Sequence, residues 1–516
     1  MNSINLINGN IITLNEKLPR INSLSIDNGK ISLINNINKK FDTIDLKGST
    51  VIPGFIDSHF HLKNFGKRLN LLDLKNIKSS DEIIKLVEKC AKNKNPDEWI
   101  LGFGWDQNLW ADKLFPLANY LNHLNINQPV YLTRIDGHAA WVNSCAIQKT
   151  KKTVHQLDAI DGGQVINDCV LIDNAMSPFK SFLPDESIDN VKDWILLAAN
   201  KAAQMGITTV HDAWQDRTIV NAIKELIRED KFPIRCYGML AGNDRSLLND
   251  FFKKGHYKNE YLTIRSVKAF IDGALGSRGA ALHEPYCDDA NNCGLILISK
   301  DEFKELAELC YKNNYQLNTH AIGDRGNTYV LDRYAEVVGK NNNRRWRIEH
   351  AQMVNDDDMM KFKQFDILPS MQPSHCTSDM HWLPERIGEQ RLKLISRWQS
   401  FINLGIKIPG GSDCPIETGN PLFEFYAAVT RQNHSLLPEN GFQPQEKVHS
   451  QNALNMFTKW GAYGSFNEYN QGQIELGYNG DLTVISEDIL SAEPKNILDI
   501  DILYTIVNGK IAYKKK

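Results

Sequence analysis

Two histidines one residue apart, His59 and His61, follow directly on the apolar run from Val51 to Ile56 and on Asp57. Along an extended chain, residues i and i+2 face the same way, so the two imidazoles can share one cation. Three further segments end in similar chemistry. Tyr315 to Thr319 runs into His320 and then Ala321-Ile322-Gly323-Asp324, and Arg345 to Glu349 runs into His350. Ile406 to Pro409 leads through Gly410-Gly411-Ser412 to Asp413. Imidazole and carboxylate are the donors that zinc-like ions take. A single histidine at a strand end is more often a hydrogen-bonded structural group. Four strand ends carrying such side chains form a set, and the set points to a metal centre.

Such a set needs a scaffold that gathers strand ends. The apolar spacing of Val191, Trp194, Ile195, Ala198, Ala199 and Ala202 predicts a helix, stopped by Gly206 and followed by the β-branched strand Ile207 to Val210. Ser299 and Glu302 have capping-box spacing ahead of a helix, and the strand from Tyr315 follows. Eight strands are predicted in all: Val51 to Ile56, Ile207 to Val210, Ile234 to Met239, Thr263 to Ile271, Tyr315 to Thr319, Arg345 to Glu349, Ile367 to Met371 and Ile406 to Pro409. Strands alternating with helices predict an α/β fold, a (β/α)8 TIM-like barrel, whose strand C-termini carry the site. The barrel is assigned to residues 51–62 and 182–464. Residues 63–181 show no such repeat and are read as an insertion after strand one that covers the active site. Asn-Gly pairs at Asn28-Gly29 and Asn508-Gly509 lie between short apolar runs and mark hairpins. Residues 1–50 and 465–516 are therefore expected to pair into one small β-sandwich, each being too short to bury a core alone.

Composition narrows the function. A chain of 516 residues exceeds one core of roughly 300 residues. A net charge of -3 offers no general field for nucleic acid or an acidic membrane. Lys92 to Asn95 and Asn341 to Asn343 read as solvated loops. Nine cysteines, odd in number and without a Cys-x-x-Cys pair, suggest reduced thiols rather than disulfides or a zinc ribbon. Met1 to Asn10 has no basic segment leading into a long apolar stretch, and no window approaches about 18 uninterrupted apolar residues. A cytoplasmic protein acting on a small molecule, without nucleic-acid or membrane partners, is expected. The glycine-rich run Asp272 to Gly279 lacks the Gly-Lys-Ser/Thr ending of a phosphate-binding loop, which excludes a nucleoside triphosphatase of that type. Trp105 and Trp110 read as packing residues.

The segments Val51 to His61, Val267 to Ala280, Thr319 to Asp324, Arg347 to His350 and Gly411 to Pro415 together resemble the amidohydrolase superfamily. Within it they are most similar to the amidohydrolase-3 branch that includes N-substituted formamide deformylases. The resemblance implies a role for Lys268, which by pattern alone is a salt-bridging strand lysine: carboxylated by carbon dioxide, it bridges a binuclear metal site. The implied reaction is hydrolysis of a carbon-nitrogen bond other than a peptide bond, in an amide, formamide or cyclic amide. Two divalent ions, with zinc the expected metal, are held by His59, His61, Lys268, His320, His350 and Asp413. His59 and His61 share one ion, whose shell Lys268 and Asp413 complete. Metal-bound hydroxide attacks, with Asp413 as general base and then general acid. Arg134, Asp136 and His138 resemble a segment that faces substrate, or form an internally paired turn. His211, beside Asp212, and His375 are further candidates for substrate contact. A homodimer is the assembly implied. Two alternatives stay open, a mononuclear deaminase of the same superfamily and a metal-holding binding protein without turnover.

Overall fold

The computed structural model describes residues 3–340 and 342–516; Met1 and Asn2 of the amino-terminal stretch and Asn341 of the asparagine run lie outside the described residues. Contacts divide the chain into two units, one made of the residues up to Leu62 with Ile195–Lys516, the other of Lys63–Trp194.

In the first unit the two chain ends meet. Thr50–Pro53 lies between Asn10–Ile12, parallel to it, and Leu482–Ile485, antiparallel, with Val51 opposite Val484. Arg20–Ile21, Ile502–Val507 and Lys510–Lys514 complete a six-stranded sheet. Ile4–Ile7, Leu24–Asp27, Lys30–Ile34 and Asp42–Asp45 make a second, four-stranded sheet. One buried apolar cluster draws Leu6 and Ile26 from the second sheet and Ile11, Val51, Leu482 and Ile506 from the first. At both predicted hairpins, Asn28-Gly29 and Asn508-Gly509, the two residues have positive φ, as a two-residue turn between twisted strands requires.

Seven parallel strands follow in sheet order: β1 (Phe55–Phe60), β2 (Ile207–Gln215), β3 (Arg235–Ala241), β4 (Leu262–Phe270), β5 (Gln316–Ala321), β6 (Arg347–His350) and β7 (Leu368–Ser370). Two sequence expectations are corrected here. The run Val51 to Ile56 is not one strand. It divides at Gly54, whose N–H donates to Asp481 O, so residues up to Pro53 pair in the terminal sheet and the barrel begins at Phe55. The eighth predicted strand, Ile406 to Pro409, forms no strand of its own, although Pro409 O accepts from Met371 N–H at 3.1 Å. Its place is taken by residues 410–414, which bridge β7 through Met371 and Gly410 and β1 through Phe60 and Cys414. Ser58 N–H donates to Gly410 O at 2.9 Å and Asp413 N–H to His59 O at 2.7 Å, closing a TIM-like barrel. The glycines explain the short segment: a Cβ on Gly411 would stand 2.5 Å from His59 N.

Helices fill the crossovers as their patterns require. Ile188–Gln204 ends before Gly206, at φ +84°, and Lys300–Lys312 starts from a complete Ser299/Glu302 capping box while burying Phe303, Leu306, Ala307 and Cys310. Among the described residues no helix is long and apolar enough to cross a membrane. All nine cysteines are free.

The Lys63–Trp194 unit has its own six-stranded sheet, running from Gly163–Ile166 through Val170–Asp173, Ala139–Val142, Val130–Arg134 and Ile100–Trp105 to Leu72–Asp73. Trp105, Trp110 and Trp141 are buried together in its core, with Trp105 and Trp110 stacked at 6.0 Å. Both predicted packing tryptophans therefore pack.

Gly411→Ala should cost about 1–3 kcal/mol, the usual penalty for forcing atoms into a filled site. Thermal unfolding reads this as a lower midpoint, and a wild-type midpoint would mean that the closing segment has slack.

Candidate metal centre

Asp413 stands where the strand ends converge. Its Oδ1 is 3.0 Å from His61 Nε2 and 3.5 Å from His59 Nε2, and its Oδ2 is 3.8 Å from His375 Nε2 and 4.0 Å from His350 Nε2. Ligand atoms of His59, His350 and Asp413 all lie within 4.8 Å of one another. The His350 ring is 4.8 Å from that of His59 and 4.6 Å from that of His320. Lys268, at the inner end of β4, places Nζ 3.2 Å from His59 Nε2. The six residues singled out from sequence thus gather at the C-terminal ends of β1, β4, β5, β6 and the closing segment, although His320 joins the cluster through its ring beside His350 while its Nε2 lies 3.5 Å from Gly273 O.

The far nitrogens of two rings are already engaged. His59 Nδ1 is 2.5 Å from Glu349 Oε2, and His350 Nδ1 is 2.7 Å from Gln372 Oε1, whose own amide donates to Ser370 O. A carboxylate or amide oxygen accepts the Nδ1 proton, which leaves Nε2 with its lone pair facing the centre. Glu349 is held in turn by Arg347 Nε at 2.9 Å, both side chains being fully buried. Burial pushes the Glu349 pKa up, but Arg347 and His59 outweigh it and hold the carboxyl below its usual range. Burial also opposes ionisation of Asp413, and the surrounding histidines, His59 foremost, bring it well below the ordinary value. Burial, then the charge of Lys268, lowers His59 to about 4 and His320 to about 3. Neutral imidazoles and an ionised carboxylate are the states a cation needs.

Lys268 is fully buried, and among the described residues no carboxylate forms an ion pair with it. The salt-bridging reading of this lysine is therefore corrected: strand β4 carries Nζ into the imidazole cluster, with the Phe270 ring 5.0 Å away. Burial lowers its pKa to about 8. A buried amine with no direct ion pair, set among imidazoles with the charges of Glu349 and Asp413 nearby, fits a divalent-metal site.

The backbone is strained where the site is built. His350 has φ +75° and Asp413 φ +55°, conformations that cost a non-glycine residue about 1–3 kcal/mol. Asp57, buried beneath them, accepts from His59 N, Ser412 N and Ser412 Oγ. Asp272 accepts from the backbone N–H groups of Ala281, Ile322 and Gly323, tying the loop after β4 to the turn after His320. Burial raises both carboxyls to about 7 against those hydrogen bonds.

The candidate substrate residues fare unequally. His375 reaches the centre, stacked on His350 at 5.8 Å, with a buried Nε2 that has no hydrogen-bond partner. His211 is buried in β2, and its Nδ1 faces Arg347 at 3.0 Å, which makes it part of the support beneath the site. Arg134 pairs with Asp106 and Asp136 inside the second unit, and the exposed His138 pairs with Asp173. These three side chains thus partner within their own unit, as an internally paired turn does. Sequence reasoning passed over Glu349, Arg347, Asp57 and Gln372. For the first two a signal existed: charges at alternate positions of a strand buried on both faces must pair.

A parallel barrel that presents histidines, a lysine and an aspartate at its strand ends defines the class of metal-dependent barrel hydrolases. The amidohydrolase family model matches residues 42–513, and the chain belongs to that family. Protein LONG AFTER FAR-RED 3 of Arabidopsis thaliana is 30% identical over 98% of this chain and 91% of its own length. N-substituted formamide deformylase of Arthrobacter pascens is 22% identical over 100% and 99%. The crystal structure of an uncharacterized metal-dependent hydrolase from Pyrococcus furiosus is 27% identical, with TM-score 0.76, covering 95% of this chain and 100% of that one.

Glu349→Gln should weaken metal binding by about 10–100-fold, because a neutral amide no longer stiffens His59; metal titration with unchanged affinity would remove Glu349 from that role. In chelator-treated protein the depressed His59 pKa has a definite sign. The unfolded chain takes up its proton near pH 6.5 and the folded chain only near 4, so stability held above 6.5 is lost as pH falls between those values. Thermal midpoints that stay flat over that window would show that His59 is not buried neutral.

Proposed function

We propose that the protein hydrolyses a carbon-nitrogen bond other than a peptide bond, in an amide, formamide or cyclic amide. On this reading two divalent ions, with zinc the expected metal, are held by His59, His61, Lys268, His320, His350 and Asp413. The observation that carries it is one carboxylate, Asp413, within 4.0 Å of four imidazole nitrogens. The similarity to a deformylase of N-substituted formamides supports the bond class.

When bound, such ions acidify a water molecule and polarise a carbonyl oxygen. The chain's own groups do the rest. Asp413 is ionised at neutral pH and sits at the centre of the cluster, placed to take the proton of an attacking water and return it to the departing amine. His375 keeps a buried Nε2 unengaged, available to a carbonyl oxygen as charge develops on it. Glu349 and Gln372 hold His59 and His350 so that neither ring turns away during the reaction. Lys268, with its pKa lowered by burial, supplies the neutral amine that adds to carbon dioxide. A nitrogen-carbon bond forms, an amine proton leaves to solvent, and the carbamate offers two oxygens where an ammonium offers none. The same reading takes the two terminal sheets, which share one apolar cluster, as a small β-sandwich attached to the barrel.

The test divides these roles. Asp413→Asn should keep most of the metal while cutting kcat by at least about 100-fold on any accepted formamide or lactam; full turnover would take Asp413 out of the proton transfer. Lys268→Ala should drop the metal content from two ions to one or none per chain, with partial return on adding a short carboxylate. Two ions retained in Lys268→Ala would exclude the bridge.

A further inference from the structure

Opposite the histidine-bearing ends, at the N-terminal end of the barrel, β2, β3 and β4 begin around a cavity of about 380 Å3. Its lining holds four basic side chains, Lys30, Arg235, Lys258 and Arg265, and one carboxylate, Glu260. Two of the four are answered within the fold. Arg235 is clamped by both oxygens of Asp481, at 2.6 and 2.9 Å, and Lys30 donates to Asn479 Oδ1 at 2.6 Å.

Arg265 is not answered. Among the described residues its guanidinium makes no ion pair or hydrogen bond, and its Nε is buried. It lies flat on Phe466, 3.6 Å from the ring centre. Arg345 rests on the same ring at 4.7 Å, but Glu468 pairs with it at 2.6 and 2.9 Å. Phe466 itself sits at φ +59°, a left-handed conformation unusual for a bulky residue, and this brings its ring under both guanidinium groups. One face of Arg265 is thus fixed by stacking, and its planar fork of donors is left for a ligand. That fork matches the paired oxygens of a phosphate or carboxylate.

We propose that this cavity binds a small molecule through a phosphate or carboxylate group that pairs with Arg265, at a site separate from the metal centre. Lys258, exposed at the rim, adds attraction without forming the pair.

Titration calorimetry on the metal-loaded protein at low ionic strength, with inorganic phosphate in one arm and succinate in the other, tests this. Potassium chloride at matched ionic strength serves as the control. Saturable binding of one probe is expected, and the arm that saturates identifies the anion. Arg265→Met should lower that affinity at least tenfold while kcat/KM and the circular dichroism spectrum stay as in the wild type. Lys258→Glu, on the surface, should weaken binding severalfold and keeps the test decisive if Arg265→Met misfolds. Heats no greater than those of chloride in both arms would overturn the proposal. So would binding of equal strength in the Arg265→Met and wild-type proteins, since the anion would then be taken up at the metals or elsewhere.

Discussion

The barrel has one seam, and Asp57 sits in it. A seven-strand parallel sheet is open between β1 and β7, and the segment that fills the gap is too short and too glycine-rich to be a strand of its own. Asp57 reaches across from β1 and accepts three hydrogen bonds, one from its own strand and two from Ser412. Removing this carboxylate from water is costly, and the cost is offset only if the closing segment lies where the donors meet both oxygens. Once it does, His59, His61 and Asp413 have fixed relative positions: His59 and Asp413 lie within two residues of Asp57 or Ser412, and the N–H of His61 donates to Cys414 O at 2.9 Å. The geometry of the cluster is thus a by-product of how the sheet closes.

A second layer of constraint comes from Arg347 and Glu349. Two charges in the middle of a barrel would ordinarily be unfavourable, and apolar residues would often serve stability as well. Their value lies in direction: Glu349 points one oxygen at His59, and Arg347 reaches both Glu349 and His211. The same strand ends at His350 with a left-handed backbone, and Asp413 repeats that conformation across the site. Strain at two of the converging side chains is tolerated because the surrounding hydrogen bonds over-determine their positions.

Much of this was legible in the sequence. The order of strands, the helical faces, the hairpin turns and the residues that converge all follow from apolar period and turn chemistry. Where the reading failed, the causes are physical. Val51 to Ile56 is uniformly apolar, and period alone does not show that its first half is claimed by strands from the far end of the chain. Ile406 to Pro409 has strand composition, but sheet closure is carried by the next five residues, whose glycines and polar groups look like a loop. For Arg134, Asp136 and His138 the sequence leaves a substrate-facing segment and an internally paired turn both open, because Asp106 and Asp173, the partners of Arg134 and His138, are distant in sequence and invisible to local spacing. Glu349 stood beside a singled-out histidine, yet its part depends on a contact 290 residues away.

The split at Gly54 has a consequence for the order of assembly. Phe55 opens the strand that carries His59, and its N–H donates to Thr483 Oγ1, 428 residues further along. The four residues before Gly54 find their sheet partner in Leu482–Ile485. A ribosome making this chain finishes the helices and the middle strands while β1 still lacks the neighbour that anchors its start. Completion therefore waits until Leu482–Ile485 has been synthesised, a long-range closure of the kind that slows folding. A chain lacking Leu482–Ile485 would leave the Thr50–Pro53 edge unpaired and the apolar cluster around Val51 uncovered, so the start of the His59 strand depends on a partner 428 positions away.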